Sequence, residues 1–312
     1  MTRILICGTY SSGSSALKDL LSEYASIKVF AGEFNDFRRN GLIGDHISGK
    51  IGDDYESRIE PYIKNNLISL FGYYPIKTEN YLKYIFTSSP FRYLHHNSSM
   101  KYKRGEMLKK TRDKIASSSS FEDRVLCGAQ WLEELVEMYI SDNQYIIFDQ
   151  PIFFNQHKNI WPKVFSPYKL LIVIRDPRDQ VSDLIRRKRI FFDIETPTRG
   201  LLEVYGADIL GAIKYEMDTN FSRMKNALEL QQRLGSDNVL IVKFEDLVFD
   251  YHKVKYKVED FINIDSEKHI HKLKYFDPKI GEKNVGIHKT FLSKYMEHLN
   301  FKEPLELYSQ IS

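Results

Sequence analysis

The chain has 312 residues, of which 42% are hydrophobic and 28% are charged, a composition typical of globular proteins. Its 45 lysines and arginines against 42 acidic residues leave a formal net charge of +3, which excludes a bulk nucleic-acid binder because such proteins carry a large basic excess. Two cysteines, Cys7 and Cys127, are too few for a disulfide framework and favour a reducing compartment. No apolar run is long enough for a membrane helix or a signal-peptide core, so we expect a soluble, cytoplasmic protein without a transmembrane segment.

Five short apolar runs predict buried strands, because each run is continuous rather than alternating with polar residues. In chain order they are residues 3–7, 27–30, 145–148, 169–174 and 239–242. Helical spacing of apolar residues follows in the stretches 16–24, 181–188 and 201–234. Strands that alternate with helices predict an α/β fold, with a central parallel sheet covered by helices on both faces.

We expect one domain over residues 1–312, with a mostly helical insertion at about 34–142, because strand signals resume after that stretch. Inside the insertion, Ser120 is predicted to cap a helix whose third residue is Asp123. No spacing of metal ligands is present, so no metal is expected. The histidines His95, His96, His269 and His271 are expected to be incidental surface residues.

The first strand is followed by a glycine- and serine-rich turn, Gly8 to Ser15, and then by a helix. This strand–loop–helix unit predicts phosphate binding, because glycines allow close backbone approach and the helix N-terminus is positive. An ordinary loop with a serine cap is the alternative. The spacing of Gly8 and Gly13 matches the loop of nucleoside triphosphatases, but Ser14 stands where their lysine is required. That lysine reaches the β- and γ-phosphates, so its absence argues against hydrolysis of ATP or GTP.

A second candidate segment follows the run 169–174. Arg175 leaves the carboxyl end of this strand, where ligands bind in open α/β sheets, and Pro177 suits the first turn of the next helix. An arginine there can hold a phosphate through two parallel hydrogen bonds. The alternative is that Arg175 only pairs with Asp176 or Asp179.

Together the two segments resemble the sulfotransferases that use 3′-phosphoadenosine 5′-phosphosulfate (PAPS). In that family a loop of the form Pro-Arg/Lys-Ser-Gly-Thr/Ser-Thr/Ser holds the 5′-phosphosulfate, and residues 10–15 look like it. The family's Arg-Asp-Pro-Arg-Asp motif and a following serine bind the 3′-phosphate, and residues 175–182 look like that segment. Residues 239–247 are similar to a recurring family stretch, and residues 283–289 resemble the flexible region that closes over the nucleotide.

The resemblance covers residues 3–33 and 144–292 and implies binding of PAPS, with PAP as product and no metal. It implies a small-molecule donor and a carbohydrate or other hydroxyl acceptor as partners, and no nucleic acid. The donor-binding residues that it implies are Tyr10, Ser11, Ser12, Gly13, Ser14, Ser15, Arg175, Ser182 and Lys283.

The chain departs from the family pattern in several places. Ser11 stands where the family has arginine or lysine, and Lys18, Arg92 or another residue of the insertion could replace that charge. Ser182 is the seventh residue after Arg175 rather than the eighth. The eighth is Asp183, whose charge would repel a 3′-phosphate unless a local shift places Ser182. The basic run 186–189 either helps to hold the anion or forms a solvated helix end.

The general base is predicted from the same resemblance. Glu33 is the first choice, because residues 30–33 resemble the Gly-Glu that follows the second strand in sulfotransferases acting on carbohydrate and on tyrosine. Asp149, at the end of the run 145–148, is the second choice, with Gln150 as a neutral donor in place of a family lysine. His157 and His46 are third choices.

The leading interpretation is a PAPS-dependent sulfotransferase that acts on a glycan or glycolipid. A nucleotide kinase or triphosphatase is the second, and Mg²⁺ dependence would favour it. The third interpretation is a protein of this fold that binds PAP without catalysis. It is favoured because Ser11 and Gln150 stand where the family has positively charged side chains.

Overall fold

The computed structural model describes residues 1–9, 11–38, 42–50, 98–139, 145–187 and 208–311. The strands are β1 (Thr2–Gly8), β2 (Ile27–Glu33), β3 (Tyr145–Asp149), β4 (Tyr168–Ile174) and β5 (Val239–Lys243). All five were predicted from the apolar runs, and each run lies inside its strand. Their continuous apolar character follows from burial on both faces, as in β3 and β4.

Helices fill most of the remaining described sequence. The α-helices are α1 (Ser14–Leu21), α2 (Asn35–Arg38), α3 (Ile43–Ser48), α4 (Ser98–Ser117), α5 (Phe121–Tyr139), α6 (Trp161–Val164), α7 (Pro177–Arg186), α8 (Ile209–Leu234), α9 (Phe244–Phe249), α10 (Tyr251–Ile262), α11 (Pro278–Glu282), α12 (His288–Phe291) and α13 (Lys302–Gln310). Short 3-10 turns lie at Ser266–Lys268 and Ser293–His298. Within the described ranges, no helix is both long and apolar enough to cross a membrane.

The five strands form one parallel sheet in the order β2-β3-β1-β4-β5. Strands β4 and β5 pair in register from Leu170 opposite Val239 to Ile174 opposite Lys243. The chain places β2 and β3 on one side of β1 and β4 and β5 on the other, so the strand order reverses beside β1. Such a switch point is where open α/β sheets bind ligands, outside the carboxyl ends of the strands. The predicted α/β fold class is confirmed.

The described parts of the predicted insertion are helical. Ser120 caps α5 as expected, since its Oγ accepts the N–H of Asp123 at 3.0 Å and donates to the Asp123 carboxylate at 2.7 Å. Residues 39–41, 51–97 and 140–144, and with them His95, His96 and Arg92, lie outside the described residues.

The chain divides into two compact units. The first unit comprises Met1–Leu5 with Lys28–Tyr168, and the second comprises Ile6–Ile27 with Lys169–Ser312. The expectation of a single domain with an insertion stays a prediction.

Each unit has an apolar core of its own. In the first unit, the Phe34 ring lies 4.7 Å from the Phe148 ring and 5.9 Å from the Trp131 ring, centroid to centroid. In the second unit, α7 and α8 bury one cluster together with residues that follow α12. Its buried members are Val181, Leu184, Ala212, Ile213, Met217, Leu292 and Phe301.

One buried carboxylate organises the segment that precedes α11. Glu23 is fully buried, and its carboxylate accepts the N–H groups of Leu273 at 3.1 Å, Tyr275 at 2.8 Å and Phe276 at 3.0 Å. His269 Nε2 lies 2.6 Å from the same carboxylate. The expectation that His269 is an incidental surface residue is therefore wrong, because the Glu23 carboxylate and the Tyr24 ring, stacked 4.6 Å away, bury it. His271 is exposed, as expected.

We expect Glu23→Gln to lower the free energy of unfolding by about 2–4 kcal/mol, because an amide turns one acceptor oxygen into a donor that faces backbone N–H groups. Urea denaturation measures the change. Glu267→Gln removes one exposed carboxylate a few residues from the same segment and is the matched control, with an expected change below about 0.5 kcal/mol. Equal effects of the two substitutions would contradict the assignment.

Candidate functional site

The loop between β1 and α1 is shaped by two glycines. A Cβ on Gly8 would overlap the Oγ of Ser12, so a side chain there would require the Ser12 side chain to move. Gly13, the N-cap of α1, has a φ of 89° and a ψ of 18°, in the left-handed region that favours glycine. A Cβ on Gly13 would overlap the ring of Phe244. The predicted loop is thus a tight turn that packs directly against α9.

The predicted loop residues occupy different positions in this turn. Tyr10 lies outside the described residues. Ser11 adopts a φ of 52°, which is strained for a residue with a side chain. Ser12 is buried, and Ser14 and Ser15 are the first two residues of α1. The first turn of α1 carries no acidic side chain, so its positive end can accept an anion without a competing charge.

Arg175, directly after β4, lies against this loop. Its buried guanidinium donates through Nη1 to the carbonyl of Ser11 at 3.2 Å and through Nη2 to the carbonyl of Asn284. The guanidinium carbon lies 5.2 Å from the centroid of the Phe244 ring, so Phe244 contacts both Gly13 and Arg175. Burial lowers the pKa of Arg175, although arginine remains charged throughout the physiological range. The alternative was that Arg175 only pairs with Asp176 or Asp179; in the structure its Nη atoms donate to backbone carbonyls, and Arg178 pairs with Asp176 at 2.6 Å.

The backbone beyond Arg175 is held by Glu245, the residue after Phe244. The Glu245 carboxylate accepts the N–H of Asp176 at 3.1 Å and the hydroxyl of Tyr308, in α13, at 2.5 Å. Burial raises the pKa of Glu245, and the Tyr308 hydrogen bond opposes that shift. Sequence analysis singled out the stretch 239–247, which contains Phe244 and Glu245, but gave neither residue a role in the site. Their position directly after β5, which neighbours β4, was the signal that could have identified them.

One face of α7 is bonded to the segment that resembles the closing region. Asp179 accepts the N–H of Gly286 at 2.6 Å and that of His288 at 2.9 Å, and His288 Nδ1 lies 2.6 Å from the same carboxylate. Arg186, two turns further along the same face, donates to the side chain of Asn284 at 2.9 Å. The predicted site residue Lys283 ends α11 with an exposed side chain, directly before this bonded segment.

Ser182 lies between Asp179 and Arg186 on that helix face and is fully buried. The neighbouring Asp183 is bonded to Arg186 and to Arg187, the latter at 2.8 Å. The two arginines balance the negative charge that the sequence suggested would repel a phosphate at Ser182. In the basic run 186–189, both described arginines pair with Asp183, and Arg186 also bonds to Asn284, whereas Lys188 and Arg189 lie outside the described residues.

Three buried polar atoms in these segments have no hydrogen-bond partner among the described residues. They are the Ser12 Oγ, the Arg175 Nε and the Ser182 Oγ. Leaving such an atom unpaired costs about 1–3 kcal/mol, and a ligand that supplies acceptors removes the cost. The three atoms belong to the loop, the strand end and the helix that the sequence assigned to the two phosphates of PAPS. The residues present therefore fit an anionic nucleotide.

The predicted bases lie together at the ends of two neighbouring strands of the first unit. Glu33 is the last residue of β2 and Asp149 the last of β3, and the N–H of Phe34 donates to the Asp149 carbonyl at 2.7 Å. Asp149 is buried, and Gln150 after it has a strained φ of 53°.

Glu33 is in an ion pair that sequence reasoning missed. Arg38 Nη2 donates to Glu33 Oε2 at 2.5 Å, and Arg38 Nε donates to the Asn35 side chain at 2.8 Å. The Arg38 guanidinium lies 5.0 Å from the ring of Phe153, an exposed aromatic residue. No local pattern indicated this pair, because a five-residue separation between a strand end and a short helix does not by itself predict a contact.

The third-choice histidines lie in the same unit. His157 Nε2 is 3.1 Å from Asp45 Oδ1, and burial lowers the pKa of His157 while the Asp45 charge opposes that shift. His157 has a φ of 50° and packs edge-on against Phe37. His46 is buried.

No family model matches the chain, and a search of curated proteins finds no match. Among solved structures, the chain is similar to the sulfotransferase domain from the Synechococcus PCC 7002 olefin synthase. The TM-score is 0.48 and the identity 16%, over 94% of this chain and 94% of that domain. It is also similar to the sulfotransferase domain from the curacin biosynthetic pathway, with a TM-score of 0.47 and 16% identity, over 100% of this chain and 91% of that domain. At this level of similarity neither neighbour assigns a residue role or a substrate to this chain.

Replacement of Gly13 by alanine tests the contact between the loop and α9. Gly49 has a similar left-handed conformation, with a φ of 75°, but no atom of the described residues lies within 4 Å of the position of its Cβ. We expect Gly49→Ala to cost about 1–2 kcal/mol of stability from the conformation alone. Gly13→Ala has the same conformational cost and also displaces Phe244. We therefore expect its free energy of unfolding to fall by about 1–3 kcal/mol more than that of Gly49→Ala. Thermal unfolding of both variants measures the difference, and equal losses would contradict the packing described.

Proposed function

We propose that this protein is a sulfotransferase that moves a sulfuryl group from PAPS to a hydroxyl of a carbohydrate-containing acceptor, a glycan or a glycolipid. The observation that carries the proposal is the set of three unpaired buried polar atoms of Ser12, Arg175 and Ser182. They belong to the three segments that resemble the donor-binding motifs of that family. The tight loop at the positive end of α1 supports binding of the 5′-phosphosulfate, and Arg175 with Ser182 supports binding of the 3′-phosphate.

In the proposed reaction, the acceptor oxygen attacks the sulfur atom of PAPS. A new S–O bond forms, the bond to the bridging oxygen breaks, and PAP leaves with the bonding electron pair. Glu33 takes the proton of the acceptor hydroxyl. Arg38 holds the Glu33 carboxylate in one orientation through Oε2, which leaves Oε1 as the oxygen that receives the proton.

A carbohydrate acceptor is supported by the surroundings of Glu33. Phe153 is an exposed aromatic ring beside the Glu33–Arg38 ion pair. Aromatic faces bind the apolar faces of sugar rings, and charged side chains bind sugar hydroxyls. This combination of a ring and an ion pair favours a polyhydroxylated acceptor over a wholly apolar one.

Calorimetric titration with PAP, 5′-AMP and Mg·ATP tests the donor site. We expect PAP to bind much more tightly than either of the others. Arg175→Gln should weaken PAP binding by roughly 10- to 100-fold, because it removes a charged partner of the 3′-phosphate, and should affect 5′-AMP much less.

The matched control for Arg175 is Arg178→Gln, since Arg178 lies three residues away and pairs with Asp176 rather than with the loop. Its effect on PAP should stay below about threefold. Equal losses for PAP and 5′-AMP in the Arg175 variant would show that Arg175 does not read the 3′-phosphate. Preference for Mg·ATP over PAP would replace the proposal by a nucleotide kinase or triphosphatase.

The role of Glu33 is tested by Glu33→Gln in a sulfation assay with labelled PAPS and a panel of glycan and glycolipid acceptors. We expect turnover to fall by about 100-fold or more, as for a lost general base, while PAP affinity stays unchanged. Asp149→Asn is the comparison variant. A large loss from Asp149→Asn with none from Glu33→Gln would transfer the role to Asp149, and PAP binding without turnover of any acceptor would favour a non-catalytic protein.

A further inference from the structure

A segment of the second unit carries a concentrated positive charge. We call residues 268–280 the basic loop. It holds four lysines, Lys268, Lys272, Lys274 and Lys279, against one acidic residue, Asp277, which gives a formal net charge of +3, and the exposed Glu267 and Glu282 lie just outside it. The Asp277 carboxylate accepts the N–H of Lys279 at the start of α11, so this charge is engaged in a helix cap. All four lysines are exposed.

The same loop exposes large apolar side chains between its lysines. Residues 270–275 are all exposed, with exposed fractions of 57% for Ile270, 51% for Leu273 and 39% for Tyr275. Ile280, in α11, is 60% exposed. Isolated exposed apolar residues are ordinary, whereas a cluster of them within one short segment is a candidate contact surface.

The exposure is built into the fold. The buried Glu23 carboxylate fixes the backbone of Leu273, Tyr275 and Phe276, and the Glu23 carbonyl accepts the N–H of His271 at 3.1 Å. Leu273 has a φ of 58°, a strained conformation for a leucine that persists only where surrounding contacts enforce it. Because the backbone is held from the inside, Ile270 and Leu273 cannot fold back into the core.

We propose that the basic loop docks this protein on the surface of an anionic lipid bilayer. Lysines beside an anionic membrane are attracted to lipid phosphates, and their flexible stems let apolar neighbours enter the acyl boundary. Tyrosine favours the interface between headgroups and hydrocarbon. Residues 270–275 interleave lysines with exposed apolar side chains, which suits anionic headgroups beside hydrocarbon better than an acidic peptide.

The experiment is co-sedimentation of the full chain with two kinds of vesicle, phosphatidylcholine alone and phosphatidylcholine with phosphatidylserine. We expect binding to the mixed vesicles only, with weaker binding as salt rises. The double substitution Lys272→Glu with Lys274→Glu should reduce binding by at least about tenfold, because each lysine contributes directly to the attraction.

Two further variants separate a bilayer from other anionic partners. Lys294→Glu with Lys302→Glu makes the same change of net charge at exposed lysines outside the basic loop, and should bind nearly as well as the unaltered chain. Ile270→Ser with Leu273→Ser keeps every charge and removes the apolar groups, and should lose vesicle binding by a similar factor while retaining binding to heparin.

Several results would overturn the proposal. Equal binding by the two charge-reversed variants would show a nonspecific effect of net charge. Full vesicle binding by the Ile270 and Leu273 variant would show that the loop binds polyanions, such as an acidic protein, and does not enter a bilayer. If the unaltered chain binds neither kind of vesicle, the proposal is also overturned. None of these outcomes depends on sulfuryl transfer, so the vesicle assay tests the docking surface independently of the proposed function.

Discussion

The buried guanidinium of Arg175 is the interaction on which the candidate nucleotide site depends. It joins the carbonyl of Ser11, in the first loop, to the carbonyl of Asn284, which lies 109 residues beyond it in sequence. Phe244 packs against the same group and against Gly13. Three segments that are remote along the chain therefore meet at one cation. The strand order makes this meeting possible, since β4 lies between β1 and β5.

A charge this deeply buried has to be balanced, and the surrounding helices supply the balance. Asp179, Asp183 and Glu245 all act on Arg175, and each of these carboxylates is itself held by hydrogen bonds. A nucleotide phosphate brought to Arg175 would therefore enter a site in which nearby negative charges are already paired. This arrangement explains how Asp183 and a phosphate can share one helix without strong repulsion.

The sequence predicts the strands of the sheet well, but it predicts poorly which side chains contact one another in the candidate sites. Continuous apolar runs such as 169–174 identify the strands because burial on both faces leaves a local pattern. The first loop was also recognisable from a local pattern, because both of its glycines lie within eight consecutive residues, Gly8 to Ser15. The burial of His269 by Glu23 could not be recognised from the sequence, because the two residues lie 246 positions apart and no local pattern indicates the pair. The packing of Phe244 on Gly13 is equally non-local.

Left-handed backbone conformations occur at several of the candidate functional positions. Among the described residues, five non-glycine residues have a left-handed φ: Ser11, Gln150, His157, Asn263 and Leu273. Asn263 ends α10, a common position for this conformation. The other four lie in the candidate anion-binding loop, after a candidate base, at a histidine paired with Asp45 and in the basic loop. A strained conformation persists only where its surroundings enforce it, so the fold maintains these four positions at a cost to its own stability. That cost is the physical reason to treat the basic loop as a functional surface, as the loop at Ser11 is treated.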